Sequence, residues 1–211
     1  MFDCSNYDYL IFDCDGVIFD SNSLKSKAFA EALPNEPPVL VKSFVAYHKK
    51  HGGVSRYEKF KYYFTFIKNS ADAEKKINEA LFSFANIVKE GLLECDYVPG
   101  IYNFLIQQSS SGMPMFVVSG SDEKELQEVF KRRDIMKYFK KVYGSPTQKI
   151  ENTSKILKEI GIRKKGVFFG DSRSDYEAAK KFGIDFVYVS QFSEWEEGNQ
   201  ISKNVLENFL L

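Results

Sequence analysis

The sequence predicts an α/β fold in which a parallel sheet carries an inserted, all-helical segment. From Ile101 onward, short apolar runs alternate with amphipathic stretches, as in a parallel sheet with crossover helices. The first apolar run, Tyr9–Phe12, lies far ahead of the second, Met115–Val118. That gap exceeds the roughly 30 residues of one βαβ unit. Residues 20–93, which fill it, have helical periodicity and no convincing strand.

The helical stretch follows directly from the first strand. Asp20 and Ser21 are typical N-cap residues, and the helix they introduce ends before the breaker Pro34. Apolar residues at helical spacing predict three further helices in this stretch, at residues 39–48, 56–67 and 71–90. We therefore expect a helical cap domain at residues 19–96, placed as a lid over the carboxyl ends of the strands. The α/β core domain is expected at residues 1–18 and 97–211.

Strands and helices alternate through the remainder of the chain. The apolar runs predict strands at residues 115–118, 142–143, 166–170 and 185–189. Helical periodicity predicts helices at residues 101–108, 122–132, 152–160, 174–182 and 202–210.

Polar or charged side chains follow four of the predicted strands. Ligands bind at the carboxyl ends of strands in open parallel sheets, so these side chains are candidates for chemistry. They are Asp13 and Asp15, Ser119, Lys149, and Asp171 with Asp175.

Each of these residues has a structural alternative. Ser119 and Asp171 could cap the helices that follow them, and Lys149 alone could be a solvated loop lysine. All four strand ends carry such groups in order, which favours the functional interpretation.

These residues resemble the haloacid dehalogenase superfamily of phosphotransferases. The resemblance lies in D-x-D-G-V from Asp13, Ser119, Lys149, and G-D-x-x-x-D over residues 170–175. The helical insertion is similar to that of the C1-capped subfamily, which includes phosphoglycolate phosphatase and β-phosphoglucomutase. The resemblance covers almost the whole chain and implies a Rossmann-like sheet with a C1-type cap.

The resemblance also implies a role for each acidic residue. Asp13 would be the nucleophile that forms an aspartyl-phosphate, and Asp15 would protonate the leaving oxygen and then activate water. Mg²⁺ would be bound by Asp13, the backbone carbonyl of Asp15, and Asp171. Asp175 would be a further ligand or would orient the others.

Four further residues are expected to bind the phosphate or the substrate. Ser119 and backbone N–H groups such as that of Gly120 would hold the phosphoryl oxygens. Lys149 would offset the negative charge on Asp13 and the phosphoryl group. Arg56 follows Gly52 and Gly53 in a predicted cap loop and is the candidate for a substrate contact, with a surface arginine as the alternative.

The function expected from these roles is a Mg²⁺-dependent phosphatase that hydrolyses a small phosphorylated metabolite, such as a sugar phosphate or a related acid. An acid at Asp15 favours hydrolysis, because water needs a base. A mutase of the β-phosphoglucomutase kind shares these motifs and stays open, as does a non-catalytic member that binds a phosphorylated ligand.

Composition and charge exclude other classes. Lys plus Arg and Asp plus Glu both number 29, which argues against a basic nucleic-acid surface. No run approaches a membrane span, and the first residues lack the pattern of a signal peptide. Cys4, Cys14 and Cys95 are scattered, as expected of a reduced, cytoplasmic protein. The oligomeric state, monomer or homodimer, stays open.

Three other features have structural interpretations. Cys14 between two carboxylates is a poor nucleophile and is expected to be a small residue on a buried turn. His48 and His51 could share a metal, but the sequence favours two helix-end histidines. The aromatics of residues 57–66 are expected to form the core of the cap.

Overall fold

The computed structural model describes residues 2–161 and 163–210. Within these residues, six parallel strands form one sheet in the order β3-β2-β1-β4-β5-β6. The strands are β1 (Tyr9–Phe12), β2 (Met115–Asp122), β3 (Lys141–Ser145), β4 (Gly166–Gly170), β5 (Asp185–Val189) and β6 (Val205–Leu206). This order places β1 at the centre of the sheet, and the predicted α/β fold with a Rossmann-like sheet is confirmed.

The central strand contributes to both faces of the sheet because its side chains alternate. Leu10 and Phe12 belong to one buried cluster, while Tyr9 and Ile11 belong to the other. The first cluster includes apolar residues of α5 (Ile101–Ser110) and α6 (Glu123–Arg132). The second includes those of α7 (Lys149–Ile160) and α8 (Arg173–Phe182). Helices therefore cover the sheet on both sides.

Register sets which residues meet at the carboxyl edge of the sheet. Phe12 pairs with Val117 of β2 and with Phe169 of β4. Asp13 continues this alignment, since its backbone N–H donates to the carbonyl of Phe169 at 2.9 Å. The residues that follow β1 and β4 are therefore close neighbours.

The stretch predicted to be helical, residues 20–93, is helical, and the structure describes it without a gap. Its helices are α1 (Asn22–Glu31), α2 (Pro38–Lys50), α3 (Arg56–Tyr62) and α4 (Ala73–Glu94), with a π-helical turn at Tyr63–Ile67. Phe29 of α1 packs against Phe44, Phe60 and Phe84 of the other three helices, with ring centroids 4.3–5.6 Å apart. This packing agrees with the expected aromatic core, although Phe66 is 70% exposed.

The two ends of the helical stretch run side by side where they leave the sheet. Phe19 forms an antiparallel bridge with Tyr97, and Val98 N–H donates to the carbonyl of Ile18 at 3.0 Å. Both connections thus lie next to Asp15, as the sequence indicates. The division into a cap at 19–96 and a core at 1–18 and 97–211 stays a prediction, because one hydrophobic cluster runs through both parts.

The predicted helix at residues 202–210 is wrong. The chain forms a short helix, α9 (Gly198–Ile201), and then the edge strand β6. Val205 and Leu206 pair with Tyr188 and Val189 of β5, so a tertiary partner overrides the local helical periodicity.

Of the helices in the described ranges, none combines the length and the hydropathy that a membrane span requires.

Candidate active site

The carboxyl edge of the sheet brings together side chains from four elements. Asp13 follows β1, Ser119 lies in β2, Asp171 follows β4, and Lys149 is the first residue of α7. Lys149 Nζ lies 2.9 Å from Asp13 Oδ2 and 2.6 Å from Asp175 Oδ1. Carboxylate oxygens of Asp13, Asp171 and Asp175 all lie within 4.8 Å of one another. The structure therefore gathers four of the predicted residues, Asp13, Lys149, Asp171 and Asp175, in one buried cluster.

Other residues fill the capping roles that were the alternatives for Ser119 and Asp171. Asp122 caps α6 by accepting a hydrogen bond from the backbone N–H of Glu125. Ser172 and Asp175 form a capping box at the start of α8. Ser119 and Asp171 are thus not needed to cap either helix. Lys149 is buried in the first turn of α7, so the solvated-loop alternative is wrong.

The cluster contains more negative than positive charge. One positive charge, on Lys149, faces three carboxylates, so two negative charges are uncompensated when all are ionised. Burial, with the charge of Asp175, raises the pKa of Asp13 to about 7, although Lys149 opposes this. Burial and the charges of Asp13 and Asp175 raise the pKa of Asp171 well above its usual range. Burial disfavours the charge on Lys149, but Asp13 and Asp175 outweigh it and raise the pKa of Lys149.

This donor set fits a divalent cation. The excess of two negative charges equals the charge of such an ion, and carboxylate oxygens are the ligands of hard cations. Asp13 Oδ1 is buried and has no hydrogen-bond partner among the described residues. A buried carboxylate oxygen without a donor is unfavourable unless a ligand contacts it. Asp175 is less available to bind a cation, because its oxygens accept hydrogen bonds from Lys149 and Ser172.

The Asp15 side chain belongs to a second network that faces the helical insertion. Its Oδ2 lies 2.5 Å from Lys25 Nζ and accepts from Ser121 at 3.1 Å, and its Oδ1 accepts from Ser21 at 2.6 Å. Burial would raise the pKa of Asp15, but the charge of Lys25 and the hydrogen bonds from Lys25 and Ser21 outweigh burial and lower it. Asp15 is therefore an ionised carboxylate oriented by three donors.

The loop between α2 and α3 packs directly onto the cluster. A Cβ on Gly53 would lie 2.9 Å from Lys149 Nζ and 2.0 Å from Ser174 Oγ, and one on Gly120 would lie 2.3 Å from the Gly53 carbonyl oxygen. Both glycines thus permit a close backbone approach. The loop closes one side of a cleft that contains Asp13, Asp15 and Asp171.

The model of a family described as "Haloacid dehalogenase-like hydrolase" matches residues 10–189. The chain belongs to this family. This confirms the resemblance drawn from the motifs and the expectation of an enzyme of the hydrolase class.

Individual relatives of this haloacid dehalogenase-like hydrolase are distant. It is 26% identical over 189 residues to a "Phosphorylated carbohydrates phosphatase" of Thermotoga maritima, covering 85% of this chain and 83% of the relative. A predicted phosphoglycolate phosphatase of Haemophilus somnus superposes with a TM-score of 0.78 at 16% identity, covering 98% and 96% of the two chains. A β-phosphoglucomutase of Clostridium difficile superposes with a TM-score of 0.73 at 18% identity, covering 96% and 92%. These two structural likenesses concern the fold alone.

Arg56 lines the cleft of this hydrolase but already has a partner. It is only 7% exposed, and its Nη2 lies 2.6 Å from Glu125 Oε2, so the alternative of a surface arginine is wrong. A substrate contact by Arg56 stays a prediction.

Several residues that complete the site could not be assigned a role from the sequence. Asn22 Nδ2 donates to Asp171 Oδ2 at 2.6 Å and to the Phe192 carbonyl at 2.9 Å. Ser193 Oγ donates to the Asp171 carbonyl at 2.5 Å. Asn22 and Lys25, three residues apart on α1, lie just after the first motif, which is a local signal. Nothing in the sequence near Phe192 indicates proximity to the site.

The structural interpretations of Cys14, His48 and His51 agree with the structure, since His48 lies in the last turn of α2 and His51 follows that helix. Burial raises the pKa of the Cys14 thiol well above its usual range, so it is a poor nucleophile. Within the described ranges, neither histidine takes part in a cluster that could hold a metal. His48 is in addition buried between Lys59 and Ser26.

Proposed function

We propose that this haloacid dehalogenase-like hydrolase is a Mg²⁺-dependent phosphatase that acts on a small phosphorylated metabolite through an aspartyl-phosphate on Asp13. The observation that carries the proposal is the buried cluster of Asp13, Asp171 and Asp175 around Lys149. The relative named as a phosphatase of phosphorylated carbohydrates supports the same class of substrate.

The residues that would hold Mg²⁺ are Asp13 and Asp171, with the backbone carbonyl of Asp15. Asp175 is better suited to orient the site, because Lys149 and Ser172 occupy its oxygens. Bound there, Mg²⁺ would offset the charge repulsion between a phosphate and the carboxylates.

In the first half-reaction, an Asp13 oxygen attacks phosphorus, and the bond between phosphorus and the leaving oxygen breaks. Asp13 must be ionised to attack, and Lys149 favours that form. The leaving oxygen takes its proton from Asp15, and a phosphate dianion beside Asp15 favours the protonated carboxyl group. Ser119 and the N–H of Gly120 are proposed to donate hydrogen bonds to the phosphoryl oxygens.

In the second half-reaction, water attacks the phosphorus of the aspartyl-phosphate. Asp15, now ionised, accepts the proton from water, and the bond from phosphorus to Asp13 breaks to release inorganic phosphate. The hydrogen bonds from Lys25, Ser21 and Ser121 orient Asp15 for this step.

The cleft suits a small molecule. It is lined by the carboxylates of Asp13 and Asp15 and by apolar side chains such as Phe29 and Phe84, the mixed lining that is typical of small-ligand sites. Helices of the insertion form much of its wall, so we propose that the insertion acts as the lid. A cytoplasmic location and a monomeric or homodimeric state stay predictions from the sequence.

Phosphate release tests the proposal. Wild-type protein, the Asp13→Asn variant and a Lys61→Met control on exposed α3 surface are assayed with p-nitrophenyl phosphate and a sugar-phosphate panel, with MgCl₂ and with EDTA. We expect release only with Mg²⁺, loss of turnover in Asp13→Asn and none of this loss in the control. Isomer formation from hexose 1-phosphates instead of phosphate release would favour the mutase. Equal activity of Asp13→Asn and wild type would exclude the proposed nucleophile.

A further inference from the structure

A buried lysine faces the cleft, and none of the residues that the structure describes gives it an acidic partner. Lys59 of α3 is 2% exposed and lines the same cleft as Asp13 and Asp15. No salt bridge joins it to a carboxylate among the described residues. Its ammonium group is hydrogen-bonded to His48 Nδ1 at 2.7 Å and lies 5.3 Å from the centre of the Phe29 ring. A buried charge without a counter-charge is unfavourable unless a ligand supplies one.

Of the other basic residues that line the cleft, Lys50 is exposed and forms no salt bridge among the described residues, whereas the rest are paired with carboxylates. Lys25 is paired with Asp15 at 2.5 Å, Lys49 with Glu194 at 2.8 Å, and Arg56 with Glu125 at 2.6 Å. Among the described residues that line the cleft, Lys59 is therefore the buried cation without a carboxylate partner, and its charge is available to a ligand.

A chain of hydrogen bonds fixes the position of Lys59. Ser26 Oγ donates to Glu194 at 3.1 Å, so it must accept from His48 Nε2, also at 3.1 Å. His48 Nδ1 is then unprotonated and accepts one hydrogen from Lys59. Burial, with the charges of Lys59, Lys25 and Lys49, lowers the pKa of His48 to about 2, which keeps the ring neutral. The other two hydrogens of Lys59 have no acceptor among the described residues.

We propose that Lys59 binds a carboxylate of the substrate, so that the substrate is a phosphate monoester that also carries a carboxylic acid. The inference rests on the proposed phosphatase function and names its substrate class. A single available positive charge balances a monoanionic carboxylate but would leave half the charge of a second phosphate dianion uncompensated. Phe84, Val88 and Leu92 of α4 line the cleft as well and offer an apolar wall for the carbon skeleton.

Burial and repulsion from Lys25 lower the pKa of Lys59 to about 7, with Asp15 and Glu194 acting in the opposite direction and Lys149 adding to the lowering. A carboxylate placed beside Lys59 favours its charged form. The lysine is thus able to gain a full charge when an acidic ligand binds.

Matched substrates test this inference. The pairs are 2-phosphoglycolate with 2-hydroxyethyl phosphate, and glucuronic acid 1-phosphate with glucose 1-phosphate, which differ only in a carboxylate for a hydroxymethyl group. We expect wild type to favour the acid in at least one pair by about 10- to 100-fold in kcat/KM, as for a hydrogen bond to a charged group. In Lys59→Met this preference should fall towards one, and Lys61→Met on the exposed face of the same helix should keep it.

Two further measurements make the outcome decisive. Glucose 1,6-bisphosphate tests whether Lys59 binds a second phosphate instead of a carboxylate. A higher kcat/KM of wild type for this bisphosphate than for both glucose 1-phosphate and glucuronic acid 1-phosphate would overturn the inference. Calorimetric binding of each pair to Asp13→Asn with Mg²⁺ measures the preference without turnover and without Lys59 variants. Equal binding of acid and neutral members, or an unchanged preference in folded Lys59→Met, would also overturn it. Absence of any phosphate release by wild type, with the binding preference present, would instead reject the proposed phosphatase function.

Discussion

At the scale of single residues, the site is electrostatically unfavourable without a ligand. Asp13 and Asp171 are buried next to each other, and Lys149 balances only part of their charge. Lys59 is buried among groups that disfavour its proton. Such arrangements reduce stability unless a ligand of opposite charge binds, which is why they are typical of functional sites.

Lys59 is expected to make stability depend on pH. Its pKa is lowered from 10.5 to about 7 by burial first and by Lys25 second, so between these pH values the unfolded chain binds a proton that the folded chain resists. Lys59 therefore destabilises the fold increasingly as pH falls from 10.5 to 7, and by a constant amount below 7.

Replacing Lys59 tests the sign of this pH dependence of stability. The free energy of unfolding that Lys59→Met gains over wild type should be larger at pH 7 than at pH 10, by roughly 2–4 kcal/mol. Urea denaturation at the two pH values measures this gain. The exposed Lys61→Met should show the same stability difference from wild type at both pH values. A pH-independent difference for Lys59→Met would mean that Lys59 is already charged in the fold.

Residues at strand ends could be predicted, whereas those brought in by tertiary contacts could not. Asp13 and Asp171 follow apolar strands, and the sheet places all such positions at one edge. Glu194 and Phe192 lie in a segment without periodicity, and their proximity to α1 and α2 depends on how the last strands fold back. Only the folded structure could reveal that Lys59 is buried and that no carboxylate of the described residues forms a salt bridge with it.

At the scale of elements, the loop between α2 and α3 joins the helical insertion to the catalytic cluster. Gly53 has a φ of +73°, and a Cβ added there would lie 2.0 Å from Ser174 Oγ and 2.9 Å from Lys149 Nζ. A side chain at this position would be strained and would require Ser174 and its neighbours to shift.

An alanine at Gly53 should move the loop away from the cluster. We expect Gly53→Ala to fold but to lose about 10²-fold in kcat/KM, as when a catalytic group is displaced by about 1 Å. Gly112→Ala is the matched control, because Gly112 has a similar φ of +76° but nothing within 4 Å of an added Cβ. It should lose about 1–2 kcal/mol of stability from backbone strain and keep its activity. Equal activity of the two variants would mean that the loop does not position the site.

Element boundaries depend on information outside the local sequence. The helix predicted to start at Asn152 begins at Lys149, one turn earlier, and this places the lysine in the cluster. The last predicted helix is a strand because β5 has an open edge that Val205 and Leu206 complete. Helices and central strands with long apolar patterns were predicted correctly, since burial of one face decides them.

At the scale of the whole molecule, binding of a cation should couple the site to global stability. The cluster draws on residues after β1 and β4 and on α7 and α8, so relief of its repulsion stabilises the core as a unit.

Mg²⁺ should therefore raise the melting temperature. At a concentration 100-fold above the dissociation constant, we expect a gain of about 2.7 kcal/mol, or roughly 5–10 °C for a chain of this size. Differential scanning fluorimetry measures the shift, with NaCl at equal ionic strength as the control. Asp171→Asn should melt higher than wild type without Mg²⁺ and respond little to it. An equal Mg²⁺ response in this variant would place the ion elsewhere.

The overall architecture followed from the sequence because one pattern determines it. Strands separated by helices give a parallel sheet, and the long helical stretch after β1 gives the insertion. The substrate could not be predicted from the sequence. The cleft wall is built from α1, α3, α4 and the segment near Glu194, and no local sequence pattern encodes how these elements pack together.

The most direct test of the central claim is ¹⁹F NMR of the protein with MgCl₂ and beryllium fluoride, which mimics a phosphoryl group on a carboxylate. We expect protein-bound fluoride resonances in wild type with Mg²⁺, and none in Asp13→Asn or after EDTA. Bound resonances that persist in Asp13→Asn would contradict phosphoryl transfer to Asp13.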